Sequence, residues 1–478
     1  MAPPLERDGP APRDSSAGLL VAPSLEATLE RDHVRRIPAI MDGRDAIIAA
    51  YAIVLGAAAS AVAELLIRAI ALVTNLAFYQ EWSVTSHGPA DNALGYAVVA
   101  IPVAGGIVVG LMARYGSRAI RGHGIPEAME QILTNDSKIP LRVTFLKPLS
   151  SAIAIGTGGP FGAEGPIIAT GGALGSALGQ FVKINAQQRK TLLAAGAAAG
   201  MTAIFGTPVA GILIAIELLL FEYRARSIVP VALACAVAGA LRAILHGGGA
   251  CFAMPDLGSP NAATTVIATI AGGLIGVAST YITKAVYWIE DGFEKLPIHW
   301  MWWPALGAVA VGVIGVFAPH TLGVGYDNIE NALAGNFTAD ALAILCVAKL
   351  VSWVIALGSG TSGGTLAPLL TFGSAMGWLL VALCAWIAPD AGIDPRVGAL
   401  VGMTAMFAGA SRALLASIAF AIESTHQIDC AVPIVSGVTI AYFVSCLLMR
   451  TTIMTEKLAR RGVMVASEYA AVESGTPQ

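Results

Sequence analysis

The chain has 478 residues, 56% of them hydrophobic and only 12% charged. A soluble domain carries about 25% charged residues, so that class is excluded, and a net charge of −3 leaves no basic footprint for nucleic acid. The composition reads as an all-α polytopic membrane protein.

In chain order, residues 1–44 are polar and carry Arg7, Arg13, Arg31, Arg35, Arg36 and Arg44 among several prolines. No signal-peptide pattern occurs there, and the segment reads as flexible and cytoplasmic. Its Arg-rich part at 31–36 meets solvent, lipid headgroups or a pore mouth. Arg450, Lys457, Arg460 and Arg461 flank the other end. Positive flanks at both ends predict cytoplasmic termini in a multi-pass protein of the plasma (inner) membrane. Residues 463–478 read as a short tail without a regulatory domain.

The run 45–79 is too long for an upright span of about 20 residues, so a tilted helix is expected, with Glu64 and Arg68 paired four apart. Further apolar runs cover 93–114, 142–162, 166–182, 191–220 and 228–245, with the connector Arg121-Gly-His-Gly-Ile-Pro-Glu127 between the first two. Residues 246–261 read as a loop at the midpoint. The second half repeats the style at 263–288, 301–319, 339–357, 366–388, 397–423 and 431–449. The expected units are 45–250 and 251–462. Many runs are broken by Gly and Pro, which membrane helices tolerate where they line a cavity or are buried in protein. Cys235, Cys251, Cys346, Cys384, Cys430 and Cys446 are scattered without a CxxC, so neither disulfides nor a metal site is expected.

An internal repeat organises these runs. A shift of 202 residues lays Lys147 on Lys349, Ser150 on Ser352, Gly156 on Gly358, Gly162 on Gly364 and Pro166 on Pro368. It also lays Gly200-Met-Thr-Ala203 on Gly402-Met-Thr-Ala405, and four further residues align Glu217 with Glu423. Paired Gly-interrupted segments point to a binding site between the two halves. Glu164 falls on Leu366, so building the fold does not require the carboxylate.

Glu164 is the only acidic residue between Asp136 and Glu217. A carboxylate in a bilayer costs roughly 2.5–3.5 kcal/mol on insertion scales, which makes it a functional candidate. Glycines precede it and Pro166 follows it, the construction of a helix start whose free N–H groups attract anions. Helix starts at Glu164-Gly-Pro166 and Leu366-Ala-Pro368 converge, and Pro126 marks a third. Convergent N-termini select anions, and the acid itself competes for the place.

These residues resemble the CLC family of chloride channels and chloride/proton antiporters. The family's GSGIP stands as Gly122-His-Gly-Ile-Pro126, its G(K/R)EGP as Gly162-Ala-Glu-Gly-Pro166, and its GxFxP as Gly364-Thr-Leu-Ala-Pro368. The resemblance covers roughly residues 45–462. It implies an inverted repeat of tilted and broken helices, a homodimer with one pore per subunit, chloride and in some members protons as cargo, no cofactor and no enzymatic activity. Carried over, Glu164 is the gating glutamate, in an anion site when charged and out of it when protonated. His123, Gly124, Ile125, Gly165, Thr365, Leu366, Ala367 and Met454 fall where the family holds anions.

Four positions depart from the pattern. The central serine is His123, an imidazole able to bind an anion, pair with Glu164 or simply fill space. The pore tyrosine is Met454, whose thioether cannot donate a hydrogen bond. The antiporters' inner glutamate is Leu218, leaving Glu217, with a structural role suggested by its mate Glu423, and Glu222 as candidates for a proton path with Glu164. Ala163 replaces the basic residue beside the gate. Leu218 and Met454 favour channel-like or weakly coupled chloride movement; coupled exchange through Glu164 is the alternative. A reading from another class is an intramembrane serine hydrolase, since Gly360-Thr-Ser362-Gly-Gly364 satisfies GxSxG. The same Gly spacing recurs at 158–162 without a serine, so the repeat already explains it.

Overall fold

The computed structural model describes residues 41–463 and 465. The first half contains α1 (Gly43–Thr74), α2 (Ala100–Tyr115), α3 (Ile125–Thr134), α4 (Leu141–Gly156), α5 (Glu164–Phe181), α6 (Ala186–Phe205), α7 (Pro208–Ile214) and α8 (Ala225–His246). The second contains α9 (Ala262–Glu294), α10 (Trp303–Phe317), α11 (Tyr326–Ala334), α12 (Ala339–Gly358), α13 (Leu366–Ile387), α14 (Pro395–Ser411), α15 (Leu414–Thr425) and α16 (Ala431–Leu448), followed by the short α17 (Glu456–Arg460). Among the described residues, eight helical segments are long and apolar enough to cross a membrane. The expected all-α membrane fold of tilted and broken helices is the one observed.

The two longest helices, α1 with 32 residues and α9 with 33, are equivalent in the two halves. At 1.5 Å per residue each runs about 48 Å, beyond the ~30 Å hydrocarbon core, so each must tilt. Asp42 caps α1 in a reciprocal capping box with Asp45. The predicted Arg68–Glu64 pair forms at 2.6 Å, and His246 of α8 joins Glu64 at 3.0 Å. The innermost layer consists of α5 against α6 and, in the second half, α13 against α14. Glycines permit this approach: a Cβ on Gly373 would lie 2.6 Å from the carbonyl oxygen of Gly402.

Two expected runs divide. The run 191–220 splits between α6 and α7, because Gly206 adopts the left-handed region (φ +69°) and Pro208 opens the next helix. A π-helical turn, Ala215–Leu220, then ends this pair. The run 397–423 splits at Arg412, also left-handed at φ +60°. Arg412 is a non-glycine residue in that region, and its guanidinium is held by carbonyls of Met449 and Arg450. Apolar composition runs through both breaks, so hydropathy alone does not reveal them. Helix α11 had no counterpart among the expected runs. A shift of 201 residues, one short of the main register, lays Gly323-Val-Gly325 on Gly122-His-Gly124 and so α11 on α3. The Arg-rich segment at 31–36 and most of the tail 463–478 lie outside the described residues.

Candidate functional site

The site is built from backbone first. The loops before α5 and α13 meet in an antiparallel bridge, in which Gly162 N–H donates to Gly364 O (3.2 Å) and Gly364 N–H to Gly162 O (3.0 Å). Equivalent residues of the two halves thus bond to one another across the repeat axis. The loop before α3 joins them, with Gly122 N–H donating to Thr361 O at 3.3 Å. A Cβ on Gly165 would overlap the carbonyl oxygen of His123 and lie 2.8 Å from Gly364 Cα. Both neighbours are backbone and cannot yield. Gly165→Ala is therefore expected to lower stability by about 1–3 kcal/mol and to abolish anion flux, read as a lower melting temperature in detergent and loss of efflux from liposomes.

Two buried lysines fix the flanking loops in the same way. Lys147 Nζ donates to Ile120 O (2.9 Å) and Gly122 O (2.7 Å). Its repeat mate Lys349 donates to Thr321 O (3.0 Å) and Gly323 O (2.8 Å). Their polar ends replace the water that the carbonyls lost on burial. They also place an N–H donor group behind each loop, which orients the loop's carbonyls away from the space between.

Glu164, the first residue of α5, is completely buried. Its Oε1 accepts from Ala367 N–H, in the first turn of α13, and Tyr326 OH lies 3.5 Å from Oε2. Its carboxylate therefore caps the other half's helix. It occupies the positive end of α13, where the first N–H groups have no intrahelical partner. The sequence brought Glu164, Gly165, Thr365, Leu366 and Ala367 to one point, and the structure assembles them there. Tyr326 was not foreseen. It stands at the start of α11 in an aromatic cluster, with ring centroids 5.8 Å from Phe205 and 6.0 Å from Phe252. Only the 201-residue register would have found it, since it aligns Tyr326 with Ile125.

His123 is 5% exposed, and its Nδ1 makes no hydrogen bond within the protein. Ile125 begins α3, and Gly124 N–H is capped by Glu127 Oε2 at 2.7 Å. Met454 is fully buried in the segment before α17. Beside it, Ile453 O accepts from Tyr287 OH at 2.8 Å.

The two other acids of the expected proton path are engaged elsewhere. Glu217 accepts from Leu415 N–H (2.9 Å) and Ala416 N–H (3.0 Å), at the start of α15. Glu423 does the reciprocal, accepting from Val209 N–H (2.9 Å) and Ala210 N–H (2.8 Å) at the start of α7. Glu222 accepts from Gln187 (2.6 Å) and Ser227 (2.5 Å). Neither Glu217 nor Glu222 shares these bonds with Glu164, and Leu218 is buried. Ser362 is hydrogen-bonded to Ser151 at 2.9 Å and Ser150 at 3.1 Å. Its partners are hydroxyls, where a hydrolase elbow would call for a His base.

Helices broken at membrane depth, whose N-termini converge on one carboxylate between inverted halves, define a membrane transport protein of the duplicated class. The family model described as voltage gated chloride channel matches residues 104–446. The chain belongs to the CLC family. It is 30% identical over 374 residues to the chloride channel protein CLC-f of Arabidopsis thaliana, covering 73% of this chain and 47% of that one, so it spans about half the plant protein's length. It is also 30% identical over 323 residues to the H(+)/Cl(-) exchange transporter ClcA of Vibrio vulnificus, covering 66% of this chain and 69% of that one. Among solved structures, a slow cyanobacterial Cl-/H+ antiporter superposes with TM-score 0.78 at 23% identity, covering 88% of this chain and 98% of that chain. A CLC-type fluoride/proton antiporter gives 0.67 at 21%, covering 84% and 95%. At these identities the two structures speak for the fold.

Proposed function

We propose that the protein moves chloride across the membrane through a pore that Glu164 blocks and releases, with channel-like or weakly proton-coupled flux. The observation that carries this reading is the carboxylate of Glu164 on the N–H of Ala367. A charged side chain there occupies the place a mobile anion would take, and protonation removes the charge that holds it. His123, Gly124, Ile125, Gly165, Thr365, Leu366 and Met454 complete the anion path. Two features favour weak coupling: Leu218 cannot carry a proton, and both oxygens of Glu217 are committed to α15. Coupled exchange is the second reading, favoured by the similarity to a Vibrio protein named as an H(+)/Cl(-) exchange transporter.

The working unit is a homodimer with one pore per chain, set in the plasma (inner) membrane with both termini cytoplasmic. Its membrane halves are 45–250 and 251–462. Purified protein in liposomes tests the reading. A chloride gradient is imposed without a proton gradient, voltage is clamped with valinomycin and potassium, and both ions are followed. Chloride efflux with little or no proton uptake is the expected result. Protons driven uphill at a fixed ratio to chloride would establish exchange instead, and no chloride efflux would overturn both.

A further inference from the structure

The departure of the inner glutamate to Leu218 leaves open where a proton would enter from the inner side. Glu127 is on α3, four residues after His123. Only one of its oxygens is used in capping, since Oε2 accepts from Gly124 N–H at 2.7 Å. Oε1 is buried, makes no hydrogen bond within the protein, and lies over Gly122, the residue before His123. His123 Nδ1 is likewise buried without a hydrogen-bond partner. Two buried titratable atoms without hydrogen bonds, His123 Nδ1 on the loop and Glu127 Oε1 in the first turn of α3, are costly, since each loses the water it would otherwise bind. A capping role alone does not explain them, because a glutamine would cap Gly124 equally well.

The pair also has a way in and a way out. Toward solvent, Lys457 on α17 reaches Glu127 Oε1 at 3.7 Å, and its side chain is 24% exposed. Arg461 holds the same segment to Glu130 of α3 at 2.6 Å. Toward the gate, the carbonyl of His123 abuts Gly165, the residue after Glu164. The charged groups that face His123 are Glu127 on α3, Lys147 on α4 and Lys457 on α17; His123 and the same two lysines face Glu127.

We propose that Glu127 and His123 form the inner proton station of this transporter, taking over from the carboxylate that Leu218 removes. A proton from inner water neutralises Glu127 at Oε1. It passes to Nδ1 of a neutral, Nε2-protonated His123, giving the imidazolium and restoring the carboxylate. The imidazolium then releases one proton to Glu164 as that carboxylate leaves Ala367, and the imidazole is neutral again. One proton moves and no electrons are exchanged. The step rests on Glu164 being the proton-bearing gate. It makes the residual coupling of the pore a property of α3 and not of the π-helical turn that carries Leu218.

The test uses the full chain in liposomes under the same chloride gradient, comparing wild type, Glu127→Gln, His123→Asn and Glu164→Gln by proton uptake per chloride released. E127Q is expected to keep chloride efflux within about threefold of wild type while proton uptake falls at least ~10-fold. H123N is expected to lower the same ratio, together with a change in chloride rate because the ring lines the anion path. An unchanged ratio in E127Q overturns the station, as does a parallel fall of both fluxes, which would mark the charge of Glu127 as a support of the pore and not a step of the proton route. If E127Q gives no folded protein, the ratio in H123N decides. Wild type that releases chloride with no proton movement overturns the station and leaves the anion pore standing. E164Q that still moves protons overturns the gate on which the station rests.

Discussion

Glu164→Gln yields a protein whose chloride efflux is nearly flat with pH, whereas wild-type efflux rises as pH falls. The sign follows from what holds the carboxylate. As an anion it takes the N–H of Ala367 and the positive end of α13. On the proposed gating, acid neutralises it, the charge-assisted part of that bond is lost, and a chloride ion displaces the side chain. A hydrogen bond to a charged group is worth roughly 1.5–3 kcal/mol and a neutral one about 1. The expected gain in efflux of E164Q over wild type at alkaline pH is therefore ~3- to 30-fold. At acid pH the two converge. Proton movement should vanish in the variant at every pH, since an amide carries no exchangeable gate proton. Efflux measured across a pH series at fixed voltage checks both statements. A variant that keeps the wild-type pH profile would move the gate to another group.

Much of this site was legible in the chain because the repeat is strict where backbone meets backbone. A Cβ on Gly364 would meet the carbonyl oxygen of Gly162, and one on Gly162 would overlap the carboxylate of Glu164, so neither position accepts a side chain, and the register survives as matched glycines. Lys147 and Lys349 match because each must satisfy two carbonyls of an equivalent loop. The isolated acid was legible for the opposite reason, since it breaks the repeat. Features set by side-chain direction were not readable. Hydropathy runs through the breaks at Gly206 and Arg412, because residues on both sides are buried. Tyr326 lies in a register one residue away from the main one. Glu127 reads as a routine capping-box residue until its second oxygen is seen buried without a hydrogen bond.

The reciprocal caps make the second large prediction. Glu217 and Glu423 are mates in the repeat, and each closes the N-terminus of a short helix in the opposite half. Helices α7 and α15, which they cap, are packed together. Each carboxylate takes two backbone N–H groups that have no other intrahelical partner. Removing one carboxylate leaves two donors half-buried and unsatisfied at about 1–3 kcal/mol each, so Glu217→Ala and Glu423→Ala should each lose roughly 2–5 kcal/mol. Glutamine keeps one acceptor oxygen and should lose about half as much. The two alanine variants touch the same pair of helices, so the double variant should cost less than their sum. Thermal unfolding in detergent, followed by loss of the monodisperse peak, measures the series. The proton-to-chloride ratio separates this structural role from a proton path. E217Q that retains its fold is expected to keep the wild-type ratio, and a fall of that ratio at unchanged chloride efflux would return Glu217 to the proton route and take it from α3.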